Sequence, residues 1–396
     1  MKRLISILLA LLMVAVMLPV MAMAAEPTEV ATQEALKNAV ANSGNIKLTS
    51  DIVLTETLTI NSGVTIVLDL AGKKISAAMN KPHMISSAGN LTIIDSVGTG
   101  SIAKEGNSSD YGYVLENHGI MELNGIKVTS ASSVSSAIEN GWYTASANTT
   151  KEPCKMTITN SDISQANGSG GLYTIKNDDY GVMIINGGNF TNSTAGAGTV
   201  LNWNDLTIND GNFTGVAAVR TLKEGELGYE KGNTLINGGT FNGKIDTLPK
   251  YSDVQIGVMG GTFNTDVTAY AGDTLVVENN GTYYVGGTAR DAVENATSGT
   301  FTVKKAENGT SLTVKPGVTV ENGMNDGKVT VNGNEVKPGG SYTVPGAPII
   351  IYNPTEDTPK ANDQKNPGTG ANDLVGVAAA MAVVSLLGAA AVIRKK

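Results

Sequence analysis

The stretch IINGGNFTN at 184–192 returns three more times with small changes, as TINDGNFTG at 207–215, LINGGTFNG at 235–243 and VMGGTFNT at 258–265. Four of the five phenylalanines of the chain fill one position of this phrase: Phe190, Phe213, Phe241 and Phe263. Copies at a spacing of about 20–30 residues indicate a repeat architecture. The phrase is therefore either an active-site loop used four times or a repeated piece of scaffold.

The register of the phrase continues upstream with other apolar residues, because ITNSDI places Ile163 and LNGIKV places Val128 in the phenylalanine position. A short run of alternating apolar and polar residues opens each copy, and a second short run follows the phenylalanine position. Strands of about four residues between Gly and Asn turns predict a parallel β-helix rather than a sandwich. A propeller, with four antiparallel strands per ~40 residues, is the structural alternative.

Equivalent positions of a parallel β-helix stack on one another, so they are compared as columns. One column holds Asn117, Asn140 and Asn177, which predicts a ladder of side-chain amides bonded from coil to coil. The phenylalanine column predicts a stacked aromatic core, and the glycines before each ring permit the bend beside it. The repeated phrase thus indicates architecture rather than a repeated active site.

An N-terminal cap is expected, because the end of a β-helix exposes unpaired backbone and apolar core. Thr32 is placed to N-cap a helix that ends at Ser43-Gly44. The apolar stripe of this helix comprises Leu36, Ala39 and Val40. The order of helix, short strands and VLDLAGKKIS resembles the cap of pectin-lyase-like proteins. Over roughly residues 30–275, the resemblance implies an all-β, right-handed parallel β-helix (a solenoid).

The chain divides into five predicted segments. These are a signal peptide at 1–24, a parallel β-helix with its N-terminal cap at 25–275, a small β module or C-terminal cap at 276–352, a polar stalk ending in a sorting motif at 353–369, and a removed membrane segment with a basic tail at 370–396. A second short helix, ARDAVENA, is predicted to start with Thr288 and Asp291.

The signal peptide is predicted from three consecutive features. Lys2 and Arg3 precede an apolar run at 4–18, and Ala22-Met23-Ala24 supplies a small-x-small exit. An N-terminal membrane helix is the alternative. Both interpretations predict that the rest of the protein is exported across a membrane.

The C-terminal end carries a sorting-like motif before an apolar run of about twenty residues, 374–393, and a basic tail. The motif is Asn366-Pro367-Gly368-Thr369-Gly370. This arrangement resembles the LPxTG signal of sortase-processed surface proteins of Gram-positive bacteria, with Asn in place of Leu. The resemblance implies that a sortase joins Thr369 covalently to peptidoglycan. An ordinary single-pass membrane anchor is the alternative, and both predict a protein secreted and held at the cell surface.

The composition of the predicted mature body excludes some partners. Residues 25–369 contain 23 basic and 35 acidic residues, a net charge of −12, which argues against binding to nucleic acid by counterion release. Cys154 is the single cysteine, so no intramolecular disulfide forms. We expect this thiol to be a small buried apolar group.

No catalytic residue, cofactor or metal site is predicted. Asp178-Asp179 and His118 resemble fragments of a polygalacturonase site, but their chain order is reversed and the Arg-Ile-Lys element is absent. Adjacent acids in a strand point to opposite faces, and we expect this pair to lie in a solvated turn. The two histidines, His83 and His118, are too few and too separated in sequence for a metal site.

The candidate ligand face is a column of polar residues at one register of successive strands. Its members are Glu116, Glu139, Lys176, Asn202 and Arg220, with Trp203 and Trp142 in the same region. Such a face is suited to a glycan, whose rings stack on aromatic side chains; a row of mutually compensating surface charges is the alternative. We therefore expect an adhesin or glycan-binding protein of the cell wall. An extracellular carbohydrate-active enzyme (polysaccharide lyase or hydrolase) and a structural wall spacer without a ligand remain as alternatives.

Overall fold

The computed structural model describes residues 26–77, 83–108, 112–143, 145–166, 172–222, 232–248 and 254–346. Strand accounts for 54% and helix for 8%, and the strands form a β-solenoid of about seven turns. The predicted all-β parallel β-helix is confirmed, and the propeller alternative is wrong because successive coils pair in parallel. The predicted signal peptide, stalk, sorting motif and C-terminal apolar run lie outside the described residues.

Each coil contributes to three sheets. The first sheet contains Gly44–Leu48, Thr65–Asp69, Asn90–Ile94, Ile120–Asn124, Cys154–Thr159, the starts of Gly181–Asn192 and Asp205–Thr221, Asn233–Ile236 and Gln255–Val258. The second contains Ile52–Leu54, Lys74–Ala77, Ser101–Ser108, Lys127–Ser132, Ser161–Gln165, later parts of the same two long strands, Thr240–Asp246 and Gly261–Phe263. The third contains Leu58–Ile60, Ile85–Ser87, Leu115–Asn117, Ile138–Asn140, Tyr173–Asn177, Gly198–Asn202 and the ends of Asp205–Thr221 and Thr240–Asp246.

The phenylalanine position is an unbroken core column of the second sheet. Its members pair in order as Ile52, Ile75, Ile102, Val128, Ile163, Phe190, Phe213, Phe241 and Phe263. The four rings are fully buried and stack with centroids 4.7, 4.9 and 4.8 Å apart. A Cβ at Gly188, which has a φ of +119°, would lie 2.0 Å from the Ser161 carbonyl oxygen, so this bend requires glycine. The predicted stacked core is confirmed.

The asparagine column runs along the inside of the third sheet. The Nδ2 of Asn117 donates to Oδ1 of Asn140 at 2.7 Å, Asn140 donates to Asn177 at 2.7 Å, and Asn177 donates to Asn202 at 2.8 Å. Asn202 then donates to the Thr234 hydroxyl at 2.9 Å. All four amides are fully buried, so these bonds satisfy groups that would otherwise be costly inside the core. The predicted ladder is confirmed and is one coil longer than expected.

The N-terminal end of the solenoid is covered by the helix Gln33–Val40. The Thr32 hydroxyl accepts from the Ala35 amide at 3.2 Å, and Leu36 and Val40 are buried. The predicted cap residue and apolar stripe are confirmed, although the helix ends at Val40, before the predicted glycine. The strand Thr28–Val30 pairs in parallel with the first sheet beneath it.

The parallel stack ends where Gly261–Phe263 meets an antiparallel neighbour, Thr282–Val285. A helix follows at Gly287–Asn295, with Gly286 as N-cap and no side-chain cap bond. The predicted start at Thr288 is therefore wrong, because the chain turns through Gly286 at a φ of 65°. The remaining strands are Val276–Asn279, Gly299–Lys305, Thr310–Leu312, Val318–Asn322, Val329–Val331, Asn334–Val336 and Ser341–Thr343.

The residues after the parallel stack have an apolar cluster of their own, which includes Val277, Val293, Phe301, Val320 and Val331. Within the described ranges, no helix has the length and apolar character needed to cross a membrane. The apolar run at 374–393, predicted as a membrane segment, is not among those residues.

Replacing Phe213 with Ala is expected to lower the free energy of unfolding by about 3–5 kcal/mol, because it leaves a cavity between two stacked rings. Urea unfolding of the full-length chain measures this loss. Val53→Ala is the control: Val53 is 60% exposed on the outer face of the same sheet, and its truncation should cost less than about 0.5 kcal/mol. Equal losses at the two positions would contradict the core column.

Candidate ligand-binding groove

A groove with a volume of about 850 Å³ lies on the outer face of the third sheet. The polar and aromatic residues that line it include His83, Tyr113, Glu116, His118, Ser136, Glu139, Trp142, Tyr143 and Lys176. A cavity of this size with both aromatic surface and hydrogen-bonding groups has the usual character of a small-ligand site. We call it the groove below.

Strand alternation sets the floor of the groove. Side chains alternate between the two faces of a strand, so the buried Leu115 and Asn117 point inward while Glu116 between them points outward. In-register pairing then stacks Glu116, Glu139 and Lys176 on successive coils. Chain segments just before and just after these strands form the walls, with Tyr113 and Ser136 on one side and His118 and Trp142 on the other.

The predicted column is correct in register for Glu116, Glu139, Lys176 and Arg220 and wrong at Asn202. The residue in register with Lys176 is Leu201, and Asn202 lies one position further, inside the solenoid on the asparagine ladder. Arg220 is in register with Leu201. Its Nε and Nη2 donate to the two oxygens of the Asp246 carboxylate at 2.7 and 2.8 Å, so one edge of the guanidinium is engaged in a bidentate pair.

Of the two tryptophans, Trp142 lines the groove and Trp203 is not among its lining residues. Trp203 is half-buried, and its backbone amide donates to the Asn177 carbonyl at 2.8 Å. Trp142 stacks on His118 with centroids 4.7 Å apart and rings nearly parallel at 9°. The rings of Tyr180 and Trp142 pack edge to face, with their centroids 6.1 Å apart. Trp142 is therefore the tryptophan held rigidly at this site.

Glu116 lies close to both histidines, His83 and His118. Its Oε1 is 3.5 Å from Nε2 of His83 and 4.0 Å from Nε2 of His118, while Oε2 accepts from the Ser86 hydroxyl at 2.6 Å. The Tyr113 backbone amide donates to Nδ1 of His83 at 3.3 Å. The neutral His83 ring therefore carries its proton on Nε2, facing Glu116. The two histidines are far apart in the sequence, so the sequence did not predict that both lie beside one carboxylate.

Burial lowers the pKa of both His83 and His118, because the charged imidazolium loses its hydration; the Glu116 charge acts in the opposite direction. Both rings are therefore neutral at pH 7. Among the residues that the structure describes, no group of three or more His, Cys, Asp or Glu side chains is arranged to hold a metal ion.

Glu139 is the most unusual group in the groove. Only 2% of the residue is exposed, and its Oε1 has no hydrogen-bond partner among the described residues. Burial, followed by the nearby Asp178 and Glu116 charges, raises its pKa to about 8, although Lys176 opposes the shift. At pH 7 the carboxyl is therefore mostly protonated. The sequence identified this residue as a candidate but gave no signal of its protonation.

The acids Asp178 and Asp179 are only 4% and 7% exposed, so the prediction of a solvated turn is wrong. Trp142 covers the turn, and its backbone amide donates to the Asp179 carbonyl at 3.1 Å. The Asp178 carboxylate binds Lys176 Nζ at 2.5 Å. Lys176 also lies 4.9 Å above the ring of Tyr143, an exposed aromatic residue at the rim of the groove.

Cys154 is fully buried and unpaired, as the sequence predicts. Its thiol lies 3.4 Å from Oδ1 of Asn140 on the asparagine ladder. Burial raises the pKa of this thiol to about 12, so the reactive thiolate does not form at neutral pH. Cys154 is therefore part of the packed interior.

The groove combines a protonated carboxyl, a carboxylate held between two neutral imidazoles, and aromatic rings. Tyr113 and Ser136 were not singled out from the sequence; the unequal lengths of the loops beside the third sheet were the available signal. Comparisons of the chain with protein-family models, with curated proteins and with solved structures found no match.

The raised pKa of Glu139 predicts a specific pH dependence of stability. Its folded pKa of about 8 exceeds the ordinary value of 4.5. The folded protein thus keeps a proton that the unfolded chain releases between these values. This contribution is fully present below pH 4.5 and is lost as pH rises through 8, at a slope of up to about 1.4 kcal/mol per pH unit.

Glu139→Gln should remove that slope, since the amide does not titrate, and the variant should gain stability relative to the native protein from pH 5 to pH 8. Urea unfolding at several pH values measures the difference. Glu122→Gln, at an exposed position of the strand Ile120–Asn124, should keep the native slope. Parallel curves for the native protein and Glu139→Gln would show that Glu139 is ionised in the fold.

Proposed function

We propose that this chain is a cell-surface protein that binds a glycan in the groove on its β-solenoid. The observation that carries the proposal is that one groove combines aromatic rings with polar atoms that have no partner among the described residues. Trp142 and Tyr143 provide ring surface, and Ser136 and Glu139 provide the polar atoms. Sugars present apolar ring faces and hydroxyl edges, so their recognition needs both kinds of contact.

The surface location is inferred from the termini. The leader at 1–24 supports secretion, and the motif at 366–370 with its apolar run and basic tail supports attachment by a sortase to peptidoglycan through Thr369. We also infer that the solenoid is right-handed and of the pectin-lyase-like type, supported by its capping helix and parallel coils. A spacer without a ligand is disfavoured by two polar atoms in the groove that have no partner within the described part of the chain.

A second function, glycan cleavage, is favoured by one specific observation. Glu139 keeps a proton at neutral pH, and Glu116 stands in register on the adjacent coil beside two neutral histidines. Two neighbouring carboxyl groups, one of which has a raised pKa, are the pairing that acid–base cleavage of a glycosidic bond requires. The binding experiment below therefore includes an analysis of products.

Trp142→Ala should weaken glycan binding by the full-length chain at least tenfold, because it removes the ring that shapes one wall of the groove; this corresponds to a loss of about 1.4 kcal/mol. A glycan array followed by titration of the best ligands measures the effect. Trp203→Ala is the matched control and should bind as the native protein does. Equal loss in both variants, or no glycan bound by the native chain, would refute the groove as a glycan site.

The same titrated samples distinguish binding from cleavage. Mass spectrometry of the oligosaccharides after incubation should show intact ligand if the protein only binds. Shorter products that disappear with Glu139→Gln would instead establish the second function.

Covalent anchoring predicts that detergent does not release the protein from cells, whereas a peptidoglycan hydrolase does. Thr369→Ala removes the proposed point of attachment and should transfer the protein to the detergent-soluble fraction or the medium. Immunoblots of the two fractions provide the measurement. Complete release of the native protein by detergent alone would exclude a covalent link to the wall.

A further inference from the structure

Two buried polar atoms in the groove lack partners among the described residues: Oε1 of Glu139 and Oγ of Ser136. The two residues are 2% and 1% exposed, and both line the groove. A buried polar atom without a hydrogen bond destabilises the folded protein, because it has lost its water without gaining a partner. Their presence in one groove, Glu139 on its floor and Ser136 on the adjoining wall, therefore marks the position at which a ligand supplies polar groups.

The charges around Glu139 indicate which kind of group fits there. The titratable groups that act on Glu139 or lie against it are Tyr113, Glu116, Cys154, Lys176 and Asp178. Lys176 is already bound to Asp178, and the thiol and phenol are neutral. A group that reaches Oε1 of Glu139 therefore meets two carboxyls that stack in register, Glu139 and Glu116.

Like charges directly opposite one another on paired strands are destabilising. The free protein avoids this repulsion by keeping a proton on Glu139, whose pKa is about 8. The positive partner nearest to Glu139 is Lys176, which the Asp178 carboxylate holds at 2.5 Å. A cation brought by the ligand would stabilise both carboxylates at once.

We propose that the groove binds a glycan through a hexosamine residue whose free ammonium group lies between Glu139 and Glu116. The proposal rests on the glycan-binding function proposed above and specifies the class of sugar. An ammonium group donates three hydrogen bonds, which suits the unpartnered Oε1 and the neighbouring carboxylate. The Ser136 hydroxyl then bonds a hydroxyl of the same sugar, and the rings at Trp142 and Tyr143 contact its faces.

Related sugars fit this position less well. An N-acetylated hexosamine presents one amide N–H and a methyl group, so it adds no charge between the carboxyls. A uronic acid brings a further carboxyl group to the two that already line this part of the groove and supplies no opposite charge. The site thus selects the free amine by charge rather than by size.

Proton release accompanies this binding. At pH 7 the Glu139 carboxyl of the free protein is mostly protonated, and an adjacent ammonium group favours its ionised form. The proton leaves Glu139 for the buffer, and the carboxylate that remains pairs with the ammonium. Binding of the amine sugar should therefore release close to one proton per site at neutral pH.

Isothermal titration calorimetry of the full-length chain tests the proposal at pH 6.5 in two buffers that differ in ionisation enthalpy. The probes are an oligosaccharide of glucosamine, the N-acetylated oligosaccharide of equal length, an oligogalacturonate and an oligolysine. We expect the amine oligosaccharide to bind at least tenfold more tightly than each of the others and to release a proton. Glu139→Gln should abolish the preference and the release, while Glu122→Gln should retain both.

Several results would overturn the proposal. Equal affinity for the amine and N-acetylated sugars would show that charge does not determine the preference. An unchanged preference in Glu139→Gln would show that Glu139 is not the residue that recognises the amine. Oligolysine that binds as tightly as the amine sugar shows that the site recognises an amine without the sugar. If an acetylated or acidic oligosaccharide binds best and Trp142→Ala abolishes its binding, only the ammonium assignment fails. If no glycan binds, the proposed function fails as well.

Discussion

In-register parallel pairing between successive coils is the constraint on which the rest of this structure depends. It places each residue directly against its equivalent on the neighbouring coil, so every position along the chain is repeated as a column. Columns of like apolar residues pack well, as the rings from Phe190 to Phe263 do. Columns of amides bond to one another, as the asparagines do. A column of like charges gains neither advantage, and its cost must be relieved in another way.

The groove contains a column in which like charges would repel one another. Glu116 and Glu139 occupy one column, and the molecule accommodates them differently. Glu116 has a serine hydroxyl and two imidazoles around it, whereas Glu139 is covered by neighbouring chain and holds a proton. Two identical side chains on adjacent coils therefore have different chemistry, because the loops around them differ while the strands beneath them do not.

The fold was largely predictable from the sequence because strand register is written in it directly. The phenylalanine column, the asparagine ladder and the Thr32 cap all follow from spacing and residue type. The error at Asn202 has the same origin, since aligning that strand one residue out moves a side chain from the core to the surface. Only the ladder, with its donor at Asn177, identifies the correct alignment.

The groove was predictable only in part. Its floor is made of strands, and the sequence indicated Glu116, Glu139 and Lys176. Its walls are loops, whose conformations depend on contacts between residues far apart in the chain. The approach of His83 and His118 to one carboxylate, and the burial of Asp178 beneath the Trp142 segment, both arise from such contacts. Periodicity carries no information about them.

The asparagine ladder also gives the solenoid a direction. Each Nδ2 donates toward the following coil, from Asn117 through Asn140 and Asn177 to Asn202, and the series ends on the hydroxyl of Thr234. Hydrogen bonds aligned in this way polarise one another. An apolar side chain at a middle rung would remove the amide-to-amide bonds to both neighbouring rungs, which are buried away from water. The four asparagines therefore form one continuous hydrogen-bonded row inside an apolar core, and replacing one of them also affects its neighbours.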